Sequence, residues 1–440
     1  MTESTFAIPD GFLMGASTSA HQIEGNNTAS DWWALETMPG SPIPEPSGPA
    51  CNSYQRWRDD MDLLAGAGLN AYRFSIEWAR IEPERGVIDT DQVEHYRQMV
   101  LGARERGLTP VITLHHFTSP AWFAAAGGWL AQDAPELFAH YVSAVAPVID
   151  AGAAYVVTIN EPNIAAVMHR VLRGEVSLET LGGGLPDPDP TVRDVLIDIH
   201  QRTTASIRQR HPDVAVGWSV ANQCVEWIDG GQQRAEEYRD TIEDAFLRAA
   251  EGDDFIGVQA YTRTVFDANG IVPPAPEISR TLTGWENYPA AVGRAAAHTA
   301  AVVPGVPIVV TENGIATDND ADRIAYTTGA LAGLAAAMRD GVDVRGYLHW
   351  SLLDNYEWGH WGPTFGLVSV DRDSGSFARV PKPSLAWLGE VAQSGRLPGA
   401  NQNSPASQKS PASQQSSTTQ QSPTQAQSDS NSAHESGATR

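Results

Sequence analysis

Short apolar runs alternate with longer amphipathic stretches from residue 12 to about residue 393. Runs at 12–18, 71–78, 110–116, 155–160, 214–220, 255–261, 307–311 and 344–353 are rich in Val, Ile, Leu and Phe with little alternation. Such runs read as strands buried on both faces, which is how parallel strands read. Helical spacing follows each of them. Trp57, Met61, Leu64 and Ala65 mark a helix over 53–66, which Gly66 and Gly68 close. Further helices are predicted over 90–106, 133–151, 163–173, 191–210, 233–250, 286–301, 321–340 and 384–393. A loop is predicted at 181–190 from its Gly and Pro content, and a Pro-rich excursion at 271–276.

Eight strands, each followed by helix, imply parallel pairing with right-handed crossovers. The α/β fold that fits is a single (β/α)8 TIM barrel with long βα loops, over residues 1–396. A doubly wound sheet is the competitor, weakened because no GxGxxG turn follows the first strand. Residues 397–440 differ in kind. They are Ser, Gln, Pro, Thr and Asn with almost no apolar side chain, so they cannot bury enough surface to offset chain entropy. A disordered, low-complexity tail is expected there.

Charge and cysteine content narrow the function. A net charge of −24 repels phosphate backbones and disfavours a nucleic acid partner. The two cysteines, Cys51 and Cys224, form no CxxC metal pair and are expected to be buried thiols. No metal or cofactor is expected. No apolar run approaches the ~20 residues that span a bilayer, so no membrane partner is expected. Met1 to Asp10 lacks the charged and apolar regions of a secretory leader, and a cytoplasmic location is expected. Nothing in the sequence sets the oligomeric state.

The chemistry stands at the strand ends. In a barrel all C-terminal strand tips share one face, where the active site is built. Two of the apolar runs end in a glutamate: Thr158-Ile159-Asn160-Glu161-Pro162 and Thr311-Glu312-Asn313-Gly314. The other tips bring Gln22, Arg73, Glu77, His115, His116, Tyr261, Trp350, Asp354, Glu357, Trp358 and Trp361. Paired carboxyls, neutral hydrogen-bonding groups and several indoles suit a sugar. Indole faces stack on pyranose C–H bonds, while amides, imidazoles and carboxylates meet the hydroxyls. Adjacent His115 and His116 point oppositely on a strand, so one is expected in the site and one in packing. Trp32, Trp33, Trp57 and Trp78 are expected in the core or rim, Trp285 and Tyr288 in packing, and Trp361 and Phe365 as pocket walls.

Seven motifs together resemble glycoside hydrolase family 1, the β-glucosidase and β-galactosidase family. They are Phe12 to Ser17 with Gln22 to Gly25, Tyr72 to Ile81, Thr113 to His116, Thr158 to Pro162, Asp254 to Gly257, Thr311 to Gly314, and Trp350 to Trp358, in family order. The resemblance implies a retaining β-glycosidase acting on a small β-glycoside. Glu312 matches the nucleophile and Glu161 the acid/base. Asn160 would hold the sugar 2-hydroxyl, and Arg73 and Tyr261 would orient the nucleophile. Gln22, His116, Glu357 and Trp358 would bind the other hydroxyls over a Trp350 floor. Tyr261 thus counts with both the substrate-binding and the nucleophile-orienting residues. An intact Glu357 points to an unphosphorylated sugar, and Glu161 argues against the thioglucosidase branch. The sequence departs from the family at Gln259-Ala260, where Asn-Tyr is usual, and at Phe117-Thr118-Ser119, changes expected to bear on the aglycone side. A transglycosylase and a silent sugar-binding protein are the alternative readings.

Overall fold

The computed structural model describes residues 5–177 and 184–399. Its centre is a closed parallel barrel. We number the strands β1 (Leu13–Ser17), β2 (Ala71–Ser75), β3 (Thr109–His115), β4 (Tyr155–Asn160), β5 (Ala215–Ala221), β6 (Ile256–Gln259), β7 (Ile308–Asn313) and β8 (Val344–Trp350). They pair in sequence order and close between β8 and β1. The (β/α)8 expectation holds. Nearly every strand residue is buried, because side chains face either the barrel interior or the surrounding helices.

Among the described residues the helices around the barrel include α1 (Ser53–Ala67), α2 (Thr90–Glu105), α3 (Ala134–Ala144), α4 (Pro190–Arg210), α5 (Gln232–Arg239), α6 (Ala291–Val302), α7 (Asp320–Arg339) and α8 (Pro383–Ser394). Local chemistry starts several of them. Asp89 caps α2 by accepting from the Asp91 and Gln92 amides, and Asp189 caps α4 ahead of Pro190 at its first turn. Gly68, with φ +86, closes α1 in the left-handed region.

Inside the barrel, Leu13, Ala71, Val111, Val157, Phe255, Val309 and Leu348 form one apolar cluster, contributed by β1, β2, β3, β4, β7, β8 and the residue before β6. This plug fills the N-terminal half and leaves polar side chains to the C-terminal half. Strand spacing leaves no room for side chains at some points. A Cβ on Gly15 would lie 1.9 Å from the Ala71 carbonyl oxygen on the neighbouring strand.

Local breakers account for the differences from the expected elements. The helix expected over 133–151 divides into Ala134–Ala144 and Ala146–Asp150, since Pro147 supplies no N–H to continue the first helix. The one expected over 233–250 carries a π turn at Asp240–Asp244. The one expected from 286 begins at Ala291, just past Pro289. Strands β6 and β8 stop at Gln259 and Trp350, earlier than their apolar runs. A helix at Asp31–Thr37 and a small sheet of Val225–Trp227, Thr264–Asp267 and Gly270–Val272 have no counterpart in the sequence reading. The expected 181–190 loop lies partly, and the expected tail almost wholly, outside the described residues. The body reaches at least Leu397, which is buried and pairs with Phe6. Both cysteines are buried free thiols. Among the described residues no helix is long and apolar enough to cross a membrane.

Candidate active site

β4 delivers Glu161 through a sharp turn. The strand ends at Asn160, Glu161 adopts φ 43 and ψ 60, and Pro162 opens the helix Pro162–Leu172. A non-glycine residue in the left-handed region is strained, and such strain concentrates at functional sites. The turn is pinned to β5 by the Glu161 amide donating to the Ser219 carbonyl at 2.7 Å.

β7 delivers Glu312 beside Gln259 of β6. The following Asn313 ties the strand end in place, donating to the Ala260 carbonyl at 2.7 Å and accepting from the Tyr347 hydroxyl at 3.0 Å. Gly314 is required next, because a Cβ there would lie 2.0 Å from the Trp350 carbonyl oxygen.

Both oxygens of Glu312 are engaged. Arg73 Nη1 donates to Oε1 at 2.5 Å and the Tyr261 hydroxyl donates to Oε2 at 2.6 Å. Arg73 is fully buried and uses its other nitrogens on Thr113 Oγ1, at 3.0 Å, and on Asn160 Oδ1. The Glu161 carboxyl, in contrast, has no hydrogen-bond partner in the protein among the described residues. Its residue is only half-buried.

Two carboxyls facing one guanidinium cannot both ionise cheaply in a desolvated site. Burial pushes Glu161 well above the ordinary carboxylate range and the Glu312 charge pushes it further, with only Arg73 opposing. Burial also raises Glu312, but Arg73, Tyr261 and Gln259 all stabilise its charged form. These contacts favour the proton on Glu161 and the charge on Glu312. Burial likewise raises Glu357 to about 8, the Trp350 indole opposing and the Glu312 charge adding to the rise.

The remaining predicted site residues gather around this pair. Asn160 Nδ2 meets His116 Nε2 at 3.2 Å. Burial pushes His116 well below the usual imidazole range, so it is neutral and accepts at Nε2. Trp350 Nε1 donates to Glu357 Oε1 at 3.2 Å, and Gln22 Nε2 lies 3.4 Å from Glu357 Oε2. Gln22 is further fixed by Asn355 Oδ1 and the Tyr356 carbonyl, each at 2.9 Å. The His116 ring lies nearly parallel to both Trp350 and Trp358, with centroids 6.0 and 6.3 Å away. Trp350, Phe365 and Ala316 form an apolar patch against which Tyr261 packs. Apart from Glu161, which reaches the pair only through the Glu312 and Arg73 charges, the residues assigned a role form one network of hydrogen bonds and ring contacts at the C-terminal mouth of the barrel.

Several neighbours depart from expectation. His115 does turn away, pairing with Ser119 Oγ at 3.0 Å and meeting the Trp129 ring edge-on. Thr118 and Ser119 are buried, and Thr118 donates to Glu77 at 2.7 Å. They brace the loop that follows β3. Phe117 packs edge-on against Trp358 at 5.2 Å. Trp361 is tied to the loop before α1: its indole bonds the Pro46 carbonyl at 3.2 Å and its ring packs on Tyr356. Trp285 reverses the expectation of packing. It is 41% exposed, with its ring 5.7 Å from Tyr261 and 6.4 Å from Phe365, and so it stands at the mouth. Tyr288 is packed as expected, under Arg263. Trp57 and Trp78 are core, whereas Trp32 meets Trp358 edge-on at 5.1 Å.

Among the described residues one group of metal-type ligands comes together, Glu243, Asp244 and His298, outside the barrel. It is already paired internally, His298 Nε2 lying 2.6 Å from Asp244 and Glu243 accepting the Gln223 amide at 2.7 Å.

Known proteins resemble this chain over most of its length. The thermostable beta-glucosidase B of Thermobispora bispora is 29% identical over 88% of this chain and 91% of its own length. A crystal structure of a beta-glycosidase superposes with a TM-score of 0.81 at 38% identity, covering 90% of this chain and 99% of that one. The beta-glucosidase from Thermotoga maritima in complex with glucoimidazole gives 0.79 at 25% identity, covering 90% and 100%. The family model described as glycosyl hydrolase family 1 matches residues 4–248 and 249–396. A barrel whose fourth and seventh strand tips present the glutamates, matched over its described length by that model, makes this chain a glycoside hydrolase that belongs to glycosyl hydrolase family 1.

Proposed function

We propose that the enzyme is a retaining β-glycosidase of the β-glucosidase type. It removes terminal, non-reducing β-linked glucosyl or related residues from small unphosphorylated glycosides. The observation that carries this reading is the asymmetry of the two glutamates. Glu312 is held at both oxygens by Arg73 and Tyr261, which favour its charged form, while the Glu161 carboxyl has no such partner and is free to carry a proton to a leaving group.

In the first step a Glu312 oxygen attacks the anomeric carbon. The bond from that carbon to the leaving oxygen breaks, and Glu161 gives its proton to that oxygen. The products are a glycosyl ester on Glu312 and a free alcohol. Esterification also removes the Glu312 charge that had raised Glu161. Glu161 is now a carboxylate beside a neutral ester, suited to take a proton from water. The water oxygen attacks the anomeric carbon, the ester bond breaks, and Glu312 leaves as a carboxylate. Two inversions give net retention, the outcome for carboxyls standing ~5–5.5 Å apart.

Arg73 and Tyr261 keep Glu312 charged and aimed. Asn160 holds the sugar's 2-hydroxyl, and Gln22, His116, Glu357 and Trp358 meet the other hydroxyls over the Trp350 indole. A panel of nitrophenyl β-glycosides tests the reading. Release of nitrophenol from the glucoside, and from at least one of the galactoside, fucoside and xyloside, is expected. Sugar bound without release from any member would instead indicate a silent binding protein, and sugar transferred to acceptors in place of water a transglycosylase.

A further inference from the structure

Gln259, the last residue of β6, has no role in the reading above and departs from the usual family residue. It is 1% exposed, and its backbone is pinned by Asn222, whose Oδ1 accepts the Gln259 amide at 3.2 Å and whose own amide donates to the Gln259 carbonyl at 2.7 Å. Its side chain therefore projects from a fixed base. Nε2 donates to Asn160 Oδ1 at 2.9 Å.

The Asn160 amide has two possible orientations, and its neighbours choose one. Arg73 carries only donors, so the oxygen must face it. Gln259 Nε2 places a second donor on the same oxygen. A flipped Asn160 would set its NH2 against both donors and lose two buried hydrogen bonds. With the oxygen so held, Nδ2 is left pointing to His116 and the pocket. Gln259 also approaches the Glu312 carboxyl and favours its charged form.

We propose that Gln259 is a positioning residue that locks the Asn160 amide with its N–H toward the sugar 2-hydroxyl, so that its contribution to rate is exerted through that hydroxyl. This rests on the reading of Asn160 as the 2-hydroxyl partner. Hydrogen bonds to the 2-hydroxyl strengthen in the transition state of such reactions, so a loosened Asn160 costs rate on substrates that carry it and little on those that lack it.

The experiment compares p-nitrophenyl β-glucoside with its 2-deoxy analogue. The variants are Gln259→Met, which keeps length without a donor, Gln259→Leu as a second apolar variant, and Asn160→Ala as the reference. Either Gln259 variant is expected to lower kcat/KM on the glucoside by about tenfold to a hundredfold, as for loss of a buried hydrogen bond to a polar network. On the 2-deoxy analogue the loss should be under about threefold, and Asn160→Ala should show the same selective pattern. Adding Gln259→Met to Asn160→Ala should cost no more on the glucoside than the loss of under about threefold expected on the 2-deoxy analogue, the part exerted through Glu312. Equal losses on both substrates for the Gln259 variants, with Asn160→Ala still selective, would overturn the positioning role alone. Equal losses for Asn160→Ala would overturn the assignment of Asn160 to the 2-hydroxyl, and the inference with it.

Discussion

Glu312→Ala abolishes hydrolysis, and azide partly restores turnover with a glycosyl azide of the opposite anomeric configuration to the substrate. The expected loss in kcat is on the order of 10⁵-fold, comparable to removal of a covalent nucleophile elsewhere. The physical basis is the Arg73 guanidinium. It is fully buried, and its pair with Glu312 Oε1 is the charge contact that position 312 supplies. Truncating Glu312 leaves that cation unpaired next to a new cavity, a combination that attracts a small anion. Azide seated there faces the anomeric carbon from the nucleophile's side, and one displacement inverts the centre. Product analysis by NMR, with kinetics in azide, checks both the loss and the configuration. A variant that retained wild-type activity would remove Glu312 from the nucleophile's role.

Glu161→Ala gives a different pattern, which is what separates the two carboxyls. On an alkyl glucoside, whose leaving group needs a proton, the loss should be large, about 10²–10⁴-fold for general acid catalysis. On a dinitrophenyl glucoside the first step is nearly spared, and the glycosyl-enzyme accumulates because water has lost its base. Azide should then yield the β-azide, with the substrate's configuration retained, since it attacks the ester from the side vacated by the acid. The pH profile changes in a defined sense. In the wild type kcat/KM falls at low pH as Glu312 becomes protonated, and falls at high pH as Glu161 loses the proton that burial and the Glu312 charge hold on it. Without Glu161 the high-pH limb disappears on the activated substrate while the low-pH limb stays. A loss independent of the leaving group, with both limbs intact, would contradict the acid/base role.

The barrel could be read from the chain because its signals are local. A run such as Ile308 to Thr311 is β-branched and unbroken, and burial on both faces follows from that. Once the strands are placed, their tips converge by topology, and Asn160, Glu161 and Glu312 come together without any further assumption. The loops were less readable, since their paths depend on contacts distant in sequence. Trp285 and Trp361 are both indoles in polar loops, yet one stands at the mouth and the other packs on Tyr356. Nothing in either residue's neighbourhood in sequence separates them. Gln259 drew no role as an uncharged amide at a strand end; its significance lies in a contact to Asn160, 99 positions away. The small outer sheet was missed for a similar cause, because its three-to-four-residue strands, outside the barrel, are too short to show a period.

Proton NMR of the first-formed sugar bears most directly on how the glutamates at the β4 and β7 tips work together. With a p-nitrophenyl β-glucoside as substrate, the β-anomer of glucose should appear first, and the α-anomer only later by mutarotation. Initial release of the α-anomer would mean a single displacement by water, which needs carboxyls ~6.5–9.5 Å apart and leaves Glu312 no covalent part to play.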